Sequence, residues 1–380
     1  KVTRFDASSY SSQVAGDVKD FNPLDYMSPK SARRMDRFAQ FSVAATRMAL
    51  EDARIEVPGK KSERTGVALG SALGGIPCAE EQHSIFLEKG LNRVDPLIAI
   101  KIFSGASASQ ISIEFGITGH SNTIGGACAA GTDSVGYAFY AIRNYLADIM
   151  IAGGAEAPIA TLTFGAFCLI KALSTRNGDP QKASRPFDKE RDGFVMSEGA
   201  GVLILETLES ALERGASIYA EVVGYGTTND AYHMVQPQPA GEQAKKAIER
   251  ALWEAGINPP EVDYINAHGT STPLNDKLET AIIKEIFGEY AYQIPISATK
   301  SMIGHSLGAA GSMELIASTL TVKNQFIPPT INYEFPDPEC DLDYVPNIGR
   351  KAVVNTVLKN SSGFGGKNSS IIIRKYPYVE

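Results

Sequence analysis

No stretch of this 380-residue chain approaches the roughly 20 consecutive apolar residues that a membrane-spanning helix requires. Its opening residues read as neither a signal peptide nor a transit peptide. Cysteine is scarce as well. Cys78, Cys128, Cys168 and Cys340 stand far apart with no C-x-x-C pair, which excludes a disulfide scaffold. Free thiols in a reducing compartment are expected: the cytoplasm or, for a processed organellar copy, the matrix of a plastid or mitochondrion. Basic residues are outnumbered, 36 against 43 acidic, and the net charge of −7 with no basic stripe excludes general nucleic-acid binding. No H-E-x-x-H or paired-cysteine spacing is present, so no catalytic metal is expected.

What is abundant is small and apolar: 35 glycines and 43% apolar side chains, enough to bury a large core in two closely packed halves. The densest cluster of small residues is Gly125-Gly126-Ala127-Cys128-Ala129-Ala130-Gly131. Ser121-Asn122-Thr123-Ile124 before it reads as a strand, and Val135, Phe139, Ile142 and Leu146 after it recur at helical spacing. Cys128 therefore sits at a strand-to-helix corner, where the first free N–H groups of a helix favour a thiolate and small neighbours leave room for a substrate. A buried structural cysteine is the competing reading, and this stretch alone does not separate the two.

Buried strands and helices alternate on both sides of it. Strands are expected at 66–70, 121–127, 148–154 and 201–205, with helices over 99–115 and 128–147. From Tyr219 the rhythm restarts, with strands at 219–225, 262–267, 294–298, 352–359 and 369–374 and helices at 241–256, 275–287 and 307–324. This divides the chain into halves, 1–218 and 219–380, that share a rhythm but no evident residue-level repeat. Early in the first half, Lys30, Arg33, Arg34 and Arg37 cluster at what reads as the start of a helix through Phe38, Phe41, Ala45 and Leu50. Cations there oppose the helix dipole, although for the cluster alone a solvated charged face is the better account.

Of five histidines, two occupy glycine- and serine-rich turns at predicted strand ends, where ligands bind in α/β sheets: His268 in Asn266-Ala267-His268-Gly269-Thr270-Ser271-Thr272-Pro273, and His305 in Lys300-Ser301-Met302-Ile303-Gly304-His305. With a cysteine nucleophile they would support acyl transfer as hydrogen-bond donors or proton carriers, or each would be a satisfied structural histidine. Competing motifs fail. Ser297-Ala298-Thr299-Lys300 fits S-x-x-K without its companion motifs. Gly363-Phe364-Gly365-Gly366-Lys367-Asn368 lacks the Ser/Thr that a phosphate loop places after its lysine.

Together, Ala127-Cys128-Ala129-Ala130-Gly131, the Asn266–Asp276 turn, Lys300–His305 with Gly308-Ala309-Ala310-Gly311, and Gly363-Phe364-Gly365-Gly366 resemble the ordered motifs of β-ketoacyl-[acyl-carrier-protein] synthases. The resemblance is to the elongating Cys-His-His type, in particular synthase II, and covers essentially the whole chain. It implies the thiolase fold: two related α/β halves in α-β-α-β-α layers. It also implies that Cys128 takes the acyl chain from the carrier protein's phosphopantetheine, and that His268 and His305 promote decarboxylation of malonyl-carrier protein. The resulting enolate then lengthens the chain by two carbons. The N–H groups of Cys128 and Phe364 match the oxyanion donors, and Phe364 the gate beside the cysteine. Lys300 matches the lysine that organises the histidines, Glu314 its acidic partner, and Asp276 a supporting residue. Thr270 and Thr272 match the residues that hold the pantetheine arm, and Leu73 and Phe167 the lining of the acyl pocket. Lys30, Arg33, Arg34 and Lys171 match the positions where the acidic carrier protein docks. The resemblance further implies a homodimer, with no cofactor bound by the enzyme itself. A polyketide ketosynthase, a degradative thiolase and a non-catalytic chain-length-factor-like partner are the alternatives. The thiolase lacks its second cysteine here, and the non-catalytic partner would lack a nucleophile.

The chain departs from the pattern at several places. It begins after the family's first strand and helix. Ser362 stands where phenylalanine is usual, Lys367 where threonine or histidine is, and Gly125-Gly126 replaces bulkier residues and is expected to weaken the strand before Cys128.

Overall fold

The structure, a computed structural model, describes residues 1–56 and 61–376. The elements used below are α1 (Pro29–Arg33), α2 (Arg37–Ala53), β1 (Thr65–Gly70), α3 (Ile98–Ile102), α4 (Ala106–Phe115), β2 (Ser121–Ile124), α5 (Ala130–Arg143), β3 (Ile149–Glu156) and β4 (Gly199–Glu206) in the first half. The second half contains β5 (Glu221–Asn229), α6 (Glu242–Ala255), β6 (Tyr264–Asn266), α7 (Pro273–Phe287), β7 (Ile296–Ser297), α8 (Ala310–Asn324), β8 (Thr356–Gly363) and β9 (Lys367–Arg374).

The buried strands assemble into two sheets. The first has the order β2-β1-β3-β4, parallel except for β4, with Val67 opposite Ser121 and Thr65 opposite Ile149. The second has the order β5-β9-β8-β6-β7, with β8 parallel to β6 and antiparallel to β9. Every residue of β1 and β3 is buried, as strands covered on both faces require. One outer layer is formed where Phe38, Phe41 and Val43 of α2 and Ala108 and Ile111 of α4 pack on the first sheet. On the second sheet, Ile248, Ala251 and Leu252 of α6 and Ile282 and Ile283 of α7 form the other. Between the sheets lie α5 and α8, where Val135, Ala138, Leu315 and Val322 meet Ala68, Met150, Val357 and Ile371. These are the five α-β-α-β-α layers of the thiolase fold. Among the described residues no helix is long and apolar enough to cross a membrane.

The central layer holds a repeat that was not evident in the sequence: Ala129-Ala130-Gly131-Thr132 enters α5 as Ala309-Ala310-Gly311-Ser312 enters α8. Each helix begins with a 3-10 turn, and the turn's first residue is left-handed, Ala127 at φ 47° and Leu307 at φ 44°. Gly131 and Gly311 let the two helices cross. A Cβ on Gly131 would lie 2.8 Å from Ser312 N, and one on Gly311 2.6 Å from Thr132 N while overlapping Thr132 Oγ1.

Three local expectations change. The helix expected over 99–115 is broken between Ile102 and Ala106, where Phe103 turns extended (ψ 144°) and Gly75 N–H bonds the Ile102 carbonyl. The basic cluster is divided between two helix ends. Ser28 caps α1, so Arg33 falls in its last turn, on the favourable side, while Asp36 starts α2 afresh and leaves Arg37 in its first turn, opposing the dipole. The strand expected over 121–127 ends at Ile124, so Gly126 weakens no strand; it is needed for close packing, because a Cβ there would lie 2.7 Å from Asp133 Oδ2 and 3.0 Å from Ala130 Cα.

Alanine in place of a helical glycine ordinarily gains about 1 kcal/mol. At position 311 the backbone of α5 occupies that space, so Gly311→Ala is expected to lose at least about 2 kcal/mol of unfolding free energy or to prevent folding. Gly178→Ala, where the added carbon meets open space, should stay within about 0.5 kcal/mol. Urea titration of both variants decides; unchanged stability in Gly311→Ala would refute the close crossing.

Candidate active site

Cys128 lies in the 3-10 turn Ala127–Ala129 at the start of α5, after a residue held in the left-handed region. The turn after β8 meets it: Gly363 passes so close that a Cβ would lie 3.0 Å from Cys128 N, and the Phe364 N–H bonds the cysteine sulfur. The Phe364 ring stacks on Phe167, centroids 6.1 Å apart. Behind the sulfur, Ile159, Phe164, Phe194, Met196 and Leu307 form an apolar cluster.

His268 follows β6, where the chain leaves the sheet. Its backbone N–H donates to Glu279 Oε1 at 2.7 Å and that of Gly269 to Oε2 at 2.9 Å. Lys300 Nζ donates to the His268 carbonyl at 2.7 Å and lies 3.4 Å from its Nδ1. An ammonium has only protons to offer, so Nδ1 accepts and the ring N–H is left on Nε2. His305 is set by backbone pairing, its N–H on the Val195 carbonyl at 2.7 Å and its carbonyl receiving Ser197 N–H at 3.0 Å. The two imidazoles meet edge to face, centroids 5.5 Å apart.

Lys300 also pairs with Glu314, whose other carboxylate oxygen is 2.8 Å from Lys359 Nζ, and all three are at most 1% exposed. Asp276 secures the histidine turn by accepting Ser271 N–H at 3.1 Å and Phe187 N–H at 2.8 Å.

Burial dominates the ionisation of this site. It holds both imidazoles well below the ordinary histidine range, aided by the neighbouring Lys300 and Lys359, so both are neutral near pH 7. It also pushes the Cys128 thiol up to about 12, against the opposing pull of Lys300. The thiolate expected at a helix start therefore meets a larger opposing cost, and the resting sulfur is protonated.

Cys128, His268, His305, Thr270, Thr272 and Phe364 share one cavity of about 390 Å³, with Phe167 in its wall and Lys171 at its edge. Leu73 lies outside it, packed on the apolar cluster behind Cys128. Lys30, Arg33 and Arg34 are exposed on α1 and do not line the cavity. Three buried charged residues went unrecognised in the sequence. Glu156 ends β3 and accepts N–H bonds from Ala72 (2.6 Å), Leu73 (3.1 Å) and Gly308 (3.0 Å), joining the halves beside the cysteine. Glu279 and Lys359 are the others. For Glu156 and Lys359 the one available signal was a charged residue ending an otherwise apolar run; Glu279, among other charged residues of α7, carried none.

The sequence profiles "Beta-ketoacyl synthase, N-terminal domain" and "Beta-ketoacyl synthase, C-terminal domain" match residues 1–211 and 219–334. The 3-oxoacyl-[acyl-carrier-protein] synthase 2 of Synechocystis sp. is 48% identical over 375 residues, 99% of this chain and 90% of that protein. Its namesake from Staphylococcus aureus is 46% identical over 376 residues, 99% of this chain and 91% of that protein. Among solved structures, the ishigamide ketosynthase/chain length factor superposes with a TM-score of 0.92 at 38% identity, covering 99% of this chain and 91% of that one. A ketosynthase bound to the hexaketide, in complex with its type II PKS acyl-carrier protein, gives a TM-score of 0.89 at 38% identity, covering 99% and 92%.

A thiol pushed up to about 12 by burial reacts in proportion to its small ionised fraction. Alkylation of Cys128 by iodoacetamide in the resting protein, followed by peptide mass spectrometry, should therefore keep rising with pH beyond 9. A plateau reached by pH 7 would mean that the helix start outweighs burial.

Proposed function

Because the chain belongs to the β-ketoacyl synthase family and is a 3-oxoacyl-[acyl-carrier-protein] synthase of fatty-acid elongation, we propose that its chemistry runs through Cys128 as acyl carrier and His268 with His305 as the decarboxylating pair. The observation that carries this reading is one cavity walled by the cysteine, two neutral imidazoles and the Phe364 turn.

In the first step the Cys128 sulfur attacks the thioester carbonyl of acyl-carrier protein. The new S–C bond forms as the phosphopantetheine sulfur leaves and takes up the proton that the cysteine gives up. The tetrahedral oxyanion is held by the N–H groups of Cys128 and Phe364. Malonyl-carrier protein then loses carbon dioxide, and its thioester oxygen becomes an enolate oxygen within reach of the imidazole N–H donors. Neutral imidazoles suit this role, because His268 with Nδ1 facing an ammonium can offer only Nε2–H. The enolate carbon attacks the acyl-cysteine carbonyl and expels the sulfur as a thiolate, which takes a proton from water to regain its resting form, leaving a 3-oxoacyl chain two carbons longer. Thr270 and Thr272, their hydroxyls 2.9 Å apart at the cavity wall, hold the pantetheine arm, and Leu73 and Phe167 lie against the acyl chain. No cofactor beyond the carrier's own phosphopantetheine is needed.

The acidic carrier protein docks on Lys171 at the cavity edge and on the exposed Lys30, Arg33 and Arg34, cations on a chain of net charge −7. The enzyme acts as a homodimer paired through β2, the outer strand of its sheet, which is exposed at Ser121 and Asn122. It works in the cytoplasm or the matrix of an organelle, where its four cysteines stay free. A polyketide ketosynthase would perform the same condensation, but identities of 46–48% to elongation synthases against 38% to the type II PKS ketosynthase favour fatty-acid duty.

Intact mass spectrometry after mixing with medium-chain acyl-carrier protein should find the added mass on Cys128, and a chase with malonyl-carrier protein should remove it as 3-oxoacyl product. Cys128→Ala should lose condensation entirely. Cys128→Gln should still release carbon dioxide from malonyl-carrier protein, because the amide occupies the place of the acyl-cysteine carbonyl; condensation by Cys128→Ala would sink the assignment. Independently, Arg33→Glu with Arg34→Glu should raise the KM for acyl-carrier protein by roughly tenfold at low salt without changing that for a small acyl thioester. Equal effects on both substrates would remove the docking surface.

A further inference from the structure

Glu314 and Lys300 form a neutral buried pair by themselves, so a second buried lysine on the same carboxylate needs its own explanation. Burying an ammonium costs several kcal/mol, and Lys359 is 0% exposed. Its ammonium lies 2.8 Å from Glu314 Oε2, donates to Ser361 Oγ at 2.9 Å and bonds the Asn360 carbonyl. Ser361 Oγ is in turn 2.7 Å from Thr132 Oγ1 on α5, the helix that Cys128 opens. Lys359 thus stands between the carboxylate behind His268 and the helix of the candidate nucleophile.

The charges around the histidines come from every element packed there. Lys300 and Glu314 lie behind His268, Glu279 of α7 receives its backbone N–H, and Lys359 comes from β8. From the first half Cys128 faces Lys300 and Glu314, with Glu156 beside the cysteine rather than the imidazoles, and Tyr264 of β6 faces Glu314. Lys300 and Lys359 together match Glu314 and Glu279; with Lys359 gone, two carboxylates would face one ammonium beneath the imidazoles. That imbalance favours imidazolium, whose Nδ1–H would point at the Lys300 ammonium and turn it away from His268.

We infer that Lys359 is a positioning residue that keeps His268 and His305 in their neutral, donating form by balancing the buried carboxylates and by fixing Glu314 against Lys300. The inference rests on the reading of these histidines as enolate donors, and it adds a member that acts without touching substrate. The influence of Lys359 on both imidazoles has the same direction.

The test is the pH dependence of malonyl-carrier protein decarboxylation and of condensation in Lys359→Met, with rates expressed per Cys128 that can be acylated. The acidic limb should move up by about one pH unit or more. The kcat should fall about ten- to hundredfold at the pH where the unaltered enzyme is still on its plateau, while KM for the acyl donor stays within about twofold. Ser361→Ala, which keeps the charge and removes the hydroxyl that Lys359 and Thr132 share, should leave the limb in place. An unmoved limb in acylatable Lys359→Met overturns the inference and leaves the histidine assignment standing. Full decarboxylation by His268→Ala with His305→Ala would overturn the assignment itself. Imidazole carbon shifts in the histidine-labelled, unaltered enzyme decide independently of whether the variant folds: His268 and His305 should be neutral at pH 6, and protonation there overturns the inference.

Discussion

The two halves can share one site because two helices approach at glycine. Gly131 and Gly311 bring α5 and α8 to backbone contact, and that contact fixes where both helices begin. Each begins with the same device, a left-handed residue followed by a 3-10 turn. On one side the turn delivers Cys128; on the other it is Leu307-Gly308-Ala309, whose Gly308 N–H reaches Glu156 of the first half at 3.0 Å. The nucleophile's turn and its counterpart are therefore held in one frame. A change of even one methyl group at the crossing would shift the cysteine relative to both histidines.

Around that frame the buried polar groups are mostly paired with backbone. Glu279 carries the N–H groups of His268 and Gly269, Asp276 those of Ser271 and Phe187, and Glu156 those of Ala72, Leu73 and Gly308. Three carboxylates thus replace water for irregular segments that could not otherwise be buried. The segments in question are the ones that present chemistry, since regular strands and helices satisfy their own backbone. This is why the acidic residues lie so close to the site without entering the cavity.

The sequence was most informative where a side chain repeats with a period and least where a contact spans the chain. Alternation of buried strands and amphipathic helices carried the element order, the family resemblance implied the layers, and the turns around Cys128, His268 and His305 were legible from their small residues. Lys359 and Glu279 were not, because neither a charged residue ending an apolar run nor one among several on a helix gives any sign of a partner that lies 45 residues away at Glu314 or 11 away at His268. The Ala-Ala-Gly repeat was missed for a related reason: only the three-dimensional crossing separates those four residues from the many other small ones. The basic residues of α1 were misread because Ser28 and Asp36 both fit a helix cap, and the short helix between them has too few turns to show a period.

At rest the reacting groups themselves, Cys128, His268 and His305, carry no formal charge. Burial keeps the sulfur protonated and both imidazoles neutral, while the lysines and glutamates that could supply charge are spent on one another behind them. Such a surface suits a substrate that arrives as a neutral thioester on an apolar chain. Negative charge appears only during reaction, first on a tetrahedral oxygen and then on an enolate, and each time it faces N–H dipoles already fixed by packing. Those dipoles need no reorganisation, and in a dry cavity they act with little screening. A permanently charged donor in their place would bind the malonyl carboxylate itself and hold back the loss of carbon dioxide. Neutral donors set against a balanced, buried ion cluster stabilise the charge that forms in preference to the charge that must leave.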